Sequence, residues 1–226
     1  MQITLITLYQ KMRRQMGPSG WWPADSKEEI IIGAILIQNT NWRNADQALA
    51  LLRKETSLNP NQLLALTPDK LHDLVRPAGF YRNKSRALVS VFSWLQSRAL
   101  VSVFSWLRQF DYDYPAIRQK YGKGLRTQLL KLHGIGPETA DVLLTYVFEV
   151  PTFISDKYAR TLFTCLGATG LTSYQQLANR VTLPADFTAA MAQDFHGLID
   201  EFGKRYFHPL TKFDDSFLAG DQLRLK

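Results

Sequence analysis

Apolar residues recur along most of the chain at the spacing of amphipathic helices, and the strict alternation that marks strands is nearly absent. Glycine and proline interrupt this pattern at short intervals, as they do at helix ends. Ser26 and Glu29 have the spacing of a capping box, which begins an apolar helix over 30–37. Pro60 and Pro68 suit the first turns of two short helices. The pattern therefore predicts an all-α protein, with further helices at 3–16, 44–54, 157–166, 172–180 and 187–203.

The composition is that of a globular protein with an excess of basic residues. The 226 residues include 27 basic and 20 acidic side chains, which gives a net charge of +7, and 46% of the residues are hydrophobic. This length allows one large domain or two small ones. The basic excess favours a polyanionic partner, although many soluble proteins carry a similar charge.

The chain shows no feature of a membrane protein or a secreted protein. No apolar run reaches the roughly 18 residues that span a bilayer, and no basic residue precedes the first apolar segment, so we expect no signal peptide. The single cysteine, Cys165, excludes disulfides and cysteine-rich metal sites, and the four histidines have no metal-ligand spacing. We therefore expect a cytoplasmic protein without a bound metal.

Residues 85–95 recur without a change at 97–107, which makes a tandem repeat with a period of 12. Solenoid repeats are longer and more numerous, so a lone perfect copy indicates a recent in-frame duplication or an engineered insertion. Twelve residues turn a helix by about 120° beyond three whole turns, so the apolar stripes of the two copies cannot share one face of a straight helix. We expect the first copy to fill the core, because it stays next to its upstream segment. The second copy should then leave some of Leu100, Phe104 and Trp106 exposed.

The most specific stretch lies at 129–140, where two helical segments flank a turn with the sequence Leu-His-Gly-Ile-Gly. Glycine allows a positive φ and a close approach of the backbone, and Ile135 can fill the apolar gap between the helices. The amides of Gly134 and Gly136 stand at the N-terminus of the second helix, which is a natural site for a phosphate. Pro137 suits the first position of that helix. The alternative is a tight turn in a helical hairpin that binds nothing.

This hairpin resembles the helix-hairpin-helix of the endonuclease III class of DNA glycosylases, and three other segments resemble motifs of that family in the same order. Residues 34–40, Ala-Ile-Leu-Ile-Gln-Asn-Thr, resemble its Ile-Leu-Ser-Gln-x-Thr segment, whose polar residues enter the duplex. Residues 79–84, Gly-Phe-Tyr-Arg-Asn-Lys, resemble its Gly-(Leu/Phe)-Tyr-x-x-Lys helix opening. Residues 150–160 resemble its apolar segment and the catalytic aspartate that follows, here Asp156. The four motifs cover about residues 20–205.

The resemblance implies a two-domain, all-α glycosylase fold. A helical barrel spans residues 25–150 and contains the helix-hairpin-helix at about 125–148, while residues 1–24 and 151–226 form a second domain. The damaged base is expected to enter the cleft between the two domains. The implied partner is double-stranded DNA with a damaged base, bound by a monomer, which in a bacterial cell would lie at the nucleoid.

Two departures from the family narrow the chemistry. Bifunctional members carry a lysine in the hairpin that forms a Schiff base with the sugar, and the matching position here is Glu138. Because a carboxylate cannot attack as an amine does, we expect no lyase activity. Iron–sulfur members carry four cysteines near the C-terminus, the first of which falls near Phe207, and no cysteine follows Cys165. We expect no cluster and no other cofactor, with Phe207, His208 and Pro209 anchoring the tail by packing.

An aromatic group precedes the first helix of the expected barrel. Trp21, Trp22 and Pro23, with Trp42 beyond the segment at 34–40, resemble the base pocket of the cluster-free 3-methyladenine glycosylases of this class. Alkylated purines are electron-poor and often cationic, so electron-rich aromatic faces attract them by stacking and cation–π interaction. The alternative role of these tryptophans is packing in the core. We expect a monofunctional glycosylase that excises alkylated purines such as 3-methyladenine in base excision repair.

Asp156 is the expected catalytic residue. Hydrolysis of an N-glycosidic bond builds positive charge on the deoxyribose, and a carboxylate beneath C1′ stabilises this charge and orients or deprotonates water. The alternative role of Asp156 is the N-cap of the helix that begins at Lys157. The residues expected to contact DNA are Gln38, Asn39, Lys131, Gly134, Ile135, Gly136, Thr139 and Lys157, with Arg160 as a further basic residue.

Two other functions remain open at the level of sequence. A glycosylase for mismatched thymine or oxidised pyrimidines would keep Asp156 but would need hydrogen bonds to a Watson–Crick edge. A non-catalytic DNA-binding module would keep the hairpin and make Asp156 dispensable. Identification of the base that is released from methylated DNA separates these functions.

Overall fold

Helices account for most of the structure, a computed structural model that describes residues 1–79 and 86–224 and, for 86–92 and Thr211, the backbone alone. In chain order the helices are α1 (Leu5–Met16), α2 (Lys27–Leu36), α3 (Trp42–Thr56), α4 (Pro60–Ala65), α5 (Pro68–Val75), α6 (Arg86–Arg108), α7 (Tyr114–Tyr121), α8 (Leu125–Leu129), α9 (Pro137–Tyr146), α10 (Lys157–Cys165), α11 (Tyr174–Ala178) and α12 (Ala189–Tyr206). Two short strands, β1 (Gln2–Ile3) and β2 (Gln222–Leu223), pair in parallel. The expected all-α class is confirmed.

The chain divides into two compact units. The first unit contains Met1–Pro23 and Leu144–Lys226, and the second unit contains Ala24–Leu143. These units are defined by compactness, and the domain boundaries expected from the family resemblance stay a prediction. In the part of the chain that the structure describes, no helix is long and apolar enough to cross a membrane.

Local sequence explains where the helices begin. Pro60 and Pro68 stand in the first turns of α4 and α5, where the missing amide costs no hydrogen bond. At the expected capping box, the Ser26 hydroxyl accepts the amide of Glu29 at 3.1 Å, whereas the Glu29 carboxylate accepts the amide of Asp25 rather than that of Ser26. Side-chain N-caps of this kind are Thr4, Ser26, Asn41, Asn59, Thr67, Asp113, Asp156, Ser173 and Thr188.

The first unit is built around α12, which packs against α1 and α10. Phe195 and Phe202 on α12 are buried in its core. Gly203 lets the ring of Tyr158 on α10 come so close that a Cβ at this position would overlap the ring. Phe207, at the end of α12, is buried and lies 5.6 Å from the ring of Phe202 and 6.1 Å from that of Tyr158. Aromatic packing therefore anchors the segment at which the C-terminal tail begins.

The second unit surrounds α2, which packs against α3 and α6. Seven of the ten residues of α2 are buried, as expected for a helix that is apolar on most sides. Gln96 on α6 donates a hydrogen bond to the carbonyl of Leu36 at 2.9 Å. This bond satisfies one of the carbonyls that the C-terminal end of α2 leaves without a helical partner.

From Arg86 onward the tandem repeat forms one continuous helix, α6, in which the second copy fills the core. Leu100 and Phe104 are fully buried, so the expectation that this copy is left exposed is wrong for both residues. In the first copy, Leu95 is 38% exposed, whereas its counterpart Leu107 is 1% exposed. Trp94 of the first copy is 49% exposed. The two copies therefore present their side chains in different directions, as the offset of about 120° requires.

The turn that follows the second copy explains why this copy fills the core. The ring of Trp106 lies 5.6 Å from that of Phe110 and 6.0 Å from that of Tyr121, so the end of α6 is fixed to the helix that comes after it. The downstream connection therefore helps to set the rotation of α6. The motif at 80–84 lies outside the described residues, as do the side chains at 86–92 that complete the first copy.

Candidate active site

Asp156 is the N-cap of α10, and hydrogen bonds hold both its side chain and the residue before it. Its Oδ1 accepts a hydrogen bond from the amide of Ala159 at 2.7 Å. Arg160, which the sequence suggested as a phosphate contact, donates to the carbonyl of Ser155 at 2.7 Å and fixes the residue before the cap. The side chain of Asp156 is 15% exposed, and the positive end of the helix dipole stabilises its charge. The cap therefore fixes a largely buried carboxylate.

His196 on α12 faces this carboxylate, with its Nε2 3.8 Å from Oδ2 of Asp156. Tyr146 donates its hydroxyl proton to the carbonyl of Gln193 at 3.0 Å. The hydroxyl oxygen then accepts from Nδ1–H of His196 at 2.7 Å, which leaves Nε2 as an acceptor. A distance of 3.8 Å is too long for a direct hydrogen bond. Two acceptors, Nε2 and Oδ2, thus lie opposite each other.

Burial decides the protonation of this group. It lowers the pKa of His196 to about 4, with the positive charge of Lys204 acting in the same direction, so the imidazole is neutral at pH 7. Burial also raises the pKa of Tyr146 far above its usual value, and the carboxylates of Asp200 and Asp156 add to this effect. The carboxylate of Asp156 therefore has a neutral imidazole beside it and not an imidazolium.

Trp21 and Trp22 lie in the same unit as Asp156 and are half-buried, while Pro23 is exposed. The ring of Trp22 lies 5.5 Å from that of Tyr146, edge to face, and 5.6 Å from that of Trp21. The ammonium group of Lys204 lies 4.6 Å from the centroid of the Trp21 ring. One face of Trp21 is thus occupied by a cation of the protein itself.

The segment that carries the two tryptophans is fixed to α12. Asp194 accepts the amide of Ser19 at 2.8 Å, the guanidinium of Arg13 at 2.5 Å and the hydroxyl of Tyr9 at 3.0 Å. A Cβ at Gly197, one turn further along α12, would overlap side-chain atoms of Ser19 and Trp21. Asp194 therefore anchors the segment before the tryptophans, and Gly197 permits the close contact of Trp21 with α12.

The expected phosphate-binding hairpin lies in the second unit, between α8 and α9. Gly134 has a φ of 75°, and a Cβ there would lie 2.7 Å from the Cβ of Ala99 on α6. Ile135 is buried, as expected for the residue that fills the gap between the helices. The amides of Gly134 and Gly136 have no hydrogen-bond partner among the residues described, so both are available to an anion.

Gln38, which the family resemblance places in the DNA duplex, is bound to this hairpin. Its side-chain amide donates to the carbonyl of Gly134 at 3.1 Å and to the hydroxyl of Thr139 at 2.9 Å. Thr139 is buried, so it holds Gln38 and is not itself accessible for a DNA contact. Asn39 follows in the left-handed region, with a φ of 56°, and is exposed.

The remaining expected site residues divide between the two units. Trp42 is the half-buried first residue of α3 in the second unit, and Lys131, in that unit, is exposed. Lys157, in the first unit, is exposed at the start of α10. Sequence reasoning missed Tyr146 and His196, which lie 50 positions apart and come together only when the end of α9 meets α12. No spacing in the chain signals that contact.

The C-terminal region does not fit an iron–sulfur cluster. Four thiolates hold such a cluster, and the chain contains one cysteine, Cys165. Phe207, where the first cluster ligand would fall, is buried against aromatic rings. Among the residues described, no group of three or more histidine, cysteine, aspartate or glutamate side chains is arranged to hold a metal ion.

Comparison with known proteins identifies the family. Residues 32–185 match the family model described as HhH-GPD superfamily base excision DNA repair protein. A protein of Methanocaldococcus jannaschii that is provisionally named as a DNA repair glycosylase is 32% identical over 205 residues, which is 89% of this chain and 88% of that protein. Endonuclease III of Thermotoga maritima is 27% identical over 197 residues, which is 83% of this chain and 80% of that protein.

Solved structures share the fold. The 3-methyladenine DNA glycosylase of H. pylori bound to 1,N6-ethenoadenine matches with a TM-score of 0.65 at 23% identity, over 88% of this chain and 96% of that one. A non-covalent endonuclease III–DNA complex matches with a TM-score of 0.65 at 17% identity, over 88% and 83%. The resemblance to the endonuclease III class is confirmed. The chain therefore belongs to the HhH-GPD superfamily of base excision DNA repair proteins, as a DNA glycosylase of that class.

Proposed function

We propose that this glycosylase is monofunctional and excises alkylated purines such as 3-methyladenine from double-stranded DNA, acting as a monomer and without an iron–sulfur cluster. The observation that carries the proposal is one connected group in the first unit. It consists of Trp22, Tyr146, His196 and Asp156, in which an aromatic face is linked through an imidazole to a capped carboxylate.

The aromatic part of this group suits an electron-poor base. Trp22 is half-buried, and its ring is held edge to face by that of Tyr146. An alkylated purine that carries positive charge is attracted to such a face by stacking and by the ring quadrupole. The ring of Trp21, one face of which already carries Lys204, lies 5.6 Å from that of Trp22 at a tilt of 45°.

The carboxylate supplies the charge that the reaction needs. As the N-glycosidic bond breaks, its electron pair leaves with the base, and a cationic 3-methyladenine departs as a neutral molecule. The positive charge that develops on the deoxyribose is stabilised by Asp156. The oxygen of a water molecule bonds to C1′, and Asp156 accepts one of its protons. The products are the free base and an abasic site.

His196 and Tyr146 orient that water molecule. Nε2 of His196 and Oδ2 of Asp156 are both acceptors, 3.8 Å apart, and a water molecule that donates one hydrogen to each satisfies both. The oxygen of such a water keeps a lone pair for C1′. Tyr146 holds the imidazole in the tautomer that this arrangement requires.

Two further observations support a monofunctional enzyme that acts on alkylated purines. Glu138 stands where bifunctional members carry the lysine that attacks the sugar, and a carboxylate forms no Schiff base. The H. pylori protein that shares this fold is a 3-methyladenine DNA glycosylase bound to 1,N6-ethenoadenine.

The deciding experiment is chromatography of the bases released from DNA treated with a methylating agent. We expect release of 3-methyladenine by the parent protein and its loss in Asp156→Asn. Asparagine caps a helix as well as aspartate does, so urea-induced unfolding of this variant should match that of the parent. Asp156→Ala serves as the control that loses both the charge and the cap, at a cost of about 1 kcal/mol. Undiminished excision by Asp156→Asn would refute the catalytic assignment.

A companion experiment tests the aromatic face. Trp22→Ala should reduce the rate of alkylpurine excision by roughly ten- to a hundredfold, because stacking of one base on an aromatic side chain contributes about 1–3 kcal/mol. Trp22→Phe, which keeps an aromatic face, should retain most of the activity. The protein could instead release mismatched thymine or an oxidised pyrimidine and no 3-methyladenine. That result would refute the proposed substrate in favour of the other glycosylase specificity.

A further inference from the structure

An exposed tryptophan of the first repeat copy lies beside the phosphate-binding hairpin. Trp94 is 49% exposed, and its ring lies edge to face 6.4 Å from that of His133, the residue before Gly134. The guanidinium of Arg98, one helical turn along α6, lies 5.0 Å from the centroid of the Trp94 ring.

This group is fixed to the hairpin by direct contacts. The amide of His133 donates to the hydroxyl of Ser102 at 3.0 Å. Gly134 lies against Ala99, so closely that a side chain there would overlap it. Trp94 therefore lies against Arg98 and His133, and Lys131 is exposed two positions before His133 in the chain. We call these four residues, which adjoin the amides of Gly134 and Gly136, the hairpin-side patch.

The charge of the hairpin-side patch matches a polyanion. Arg98 and Lys131 are exposed, and in the described part of the chain neither forms an ion pair with a carboxylate. The ammonium group of Lys131 donates a long hydrogen bond, 3.5 Å, to the side-chain oxygen of Gln128. The ring of Trp94 restricts the guanidinium of Arg98, so less conformational entropy is lost when Arg98 binds a ligand.

We infer that the hairpin-side patch binds the phosphodiester backbone of duplex DNA next to the phosphate that the hairpin amides hold. Arg98 and Lys131 contact phosphates, and Trp94 orients Arg98. The duplication thereby extends the DNA-binding surface of the second unit. The inference does not depend on which damaged base the enzyme excises.

The repeat itself supplies a matched control. Trp94 and Trp106 occupy the same place in two identical local sequences, but Trp106 packs against Phe110 and Tyr121. Trp94→Ala should therefore lower DNA affinity and leave the free energy of unfolding nearly unchanged. Trp106→Ala should lower the free energy of unfolding and leave the DNA affinity of the folded fraction unchanged.

The test is fluorescence anisotropy with an undamaged, labelled duplex over a range of salt concentrations. Because one phosphate contact contributes about 0.9 to the slope of log affinity against log salt, Arg98→Gln should reduce the slope by about that amount. The advantage of the parent over this variant should then shrink by roughly three- to fourfold between 50 and 200 mM salt. Arg108→Gln, at the other end of α6, is the charge control and should leave the slope unchanged.

Two results would overturn the inference. The first is that Trp94→Ala and Arg98→Gln bind the duplex with the same affinity and the same salt dependence as the parent. The second is self-association of the parent, seen by sedimentation, that Trp94→Ala abolishes without a change in DNA affinity, since the partner would then be a second copy of this chain. An undamaged duplex requires no excision, so neither result bears on the proposed substrate.

Discussion

Gly134→Ala tests whether the hairpin depends on close packing against α6. Glycine at this position has a φ of 75°, which is costly for alanine, and the added Cβ would lie 2.7 Å from the Cβ of Ala99. Gly136 is a natural control two residues away, because its φ is not positive and no atom lies within 4 Å of a Cβ built there. The two substitutions add the same methyl group to the same turn.

The expected cost follows from two separate penalties. A non-glycine residue in the left-handed region costs about 1–2 kcal/mol, and overpacking by one methyl group costs about 1–3 kcal/mol. Alanine restricts the unfolded chain more than glycine does, and this effect raises the free energy of unfolding by about 0.4–1 kcal/mol. Gly134→Ala should therefore lower the free energy of unfolding by about 1–5 kcal/mol. Gly136→Ala should change it by less than about 1 kcal/mol.

A double-mutant cycle separates the two penalties. Ala99→Gly removes the atom that the new methyl group would overlap, so in the double variant the overpacking penalty disappears while the cost of the positive φ remains. Urea-induced unfolding of the four proteins should give a favourable coupling energy of about 1–3 kcal/mol between the two sites. Equal costs for Gly134→Ala and Gly136→Ala, with no coupling to Ala99, would refute the argument from packing.

Three further predictions concern charge, chemistry and the repeat. Because the pKa of His196 falls from 6.5 to about 4 on folding, the unfolded chain takes up the proton first. The free energy of unfolding should therefore decrease by on the order of 3 kcal/mol as the pH falls from 6.5 to 4, and urea unfolding of His196→Gln should lack this part of the decrease. Borohydride should trap no covalent complex on abasic-site DNA if, as the family resemblance implies, Glu138 stands at the position of the attacking lysine, and a trapped complex would show that another amine attacks. Deletion of residues 85–96, which leaves the buried second copy joined to its downstream turn, should preserve cooperative unfolding, and loss of cooperative unfolding would show that the first copy contributes to the core.

The helices could be predicted from the sequence because their boundaries depend on local chemistry. Ser26 caps α2 and the prolines at 60 and 68 begin α4 and α5, and each of these effects involves only residues within one turn. The details of the capping box were less predictable. Glu29 also forms an ion pair with Arg53 on α3, and a partner from another helix influences where its carboxylate lies.

The candidate site was only partly predictable, for a similar reason. Asp156 could be found because a motif places it at a helix start. The two roles considered for it, cap and catalyst, are compatible, since Oδ1 binds the helix amide while Oδ2 faces His196. Tyr146 and His196 could not be found, because their contact depends on the packing of two distant segments.

The repeat shows where prediction from local sequence ends and dependence on distant contacts begins. Helix geometry alone requires that two identical copies, 12 residues apart, face different directions, and the exposures of Leu95 and Leu107 agree with that requirement. Geometry does not say which copy faces the core, because the local sequences are the same. That choice depends on contacts outside the repeat, among them Trp106 with Tyr121 after it and Ala99 with Gly134 across the hairpin. Both contacts involve the second copy, whereas Trp94, which stands in the first copy where Trp106 stands in the second, is 49% exposed beside the hairpin.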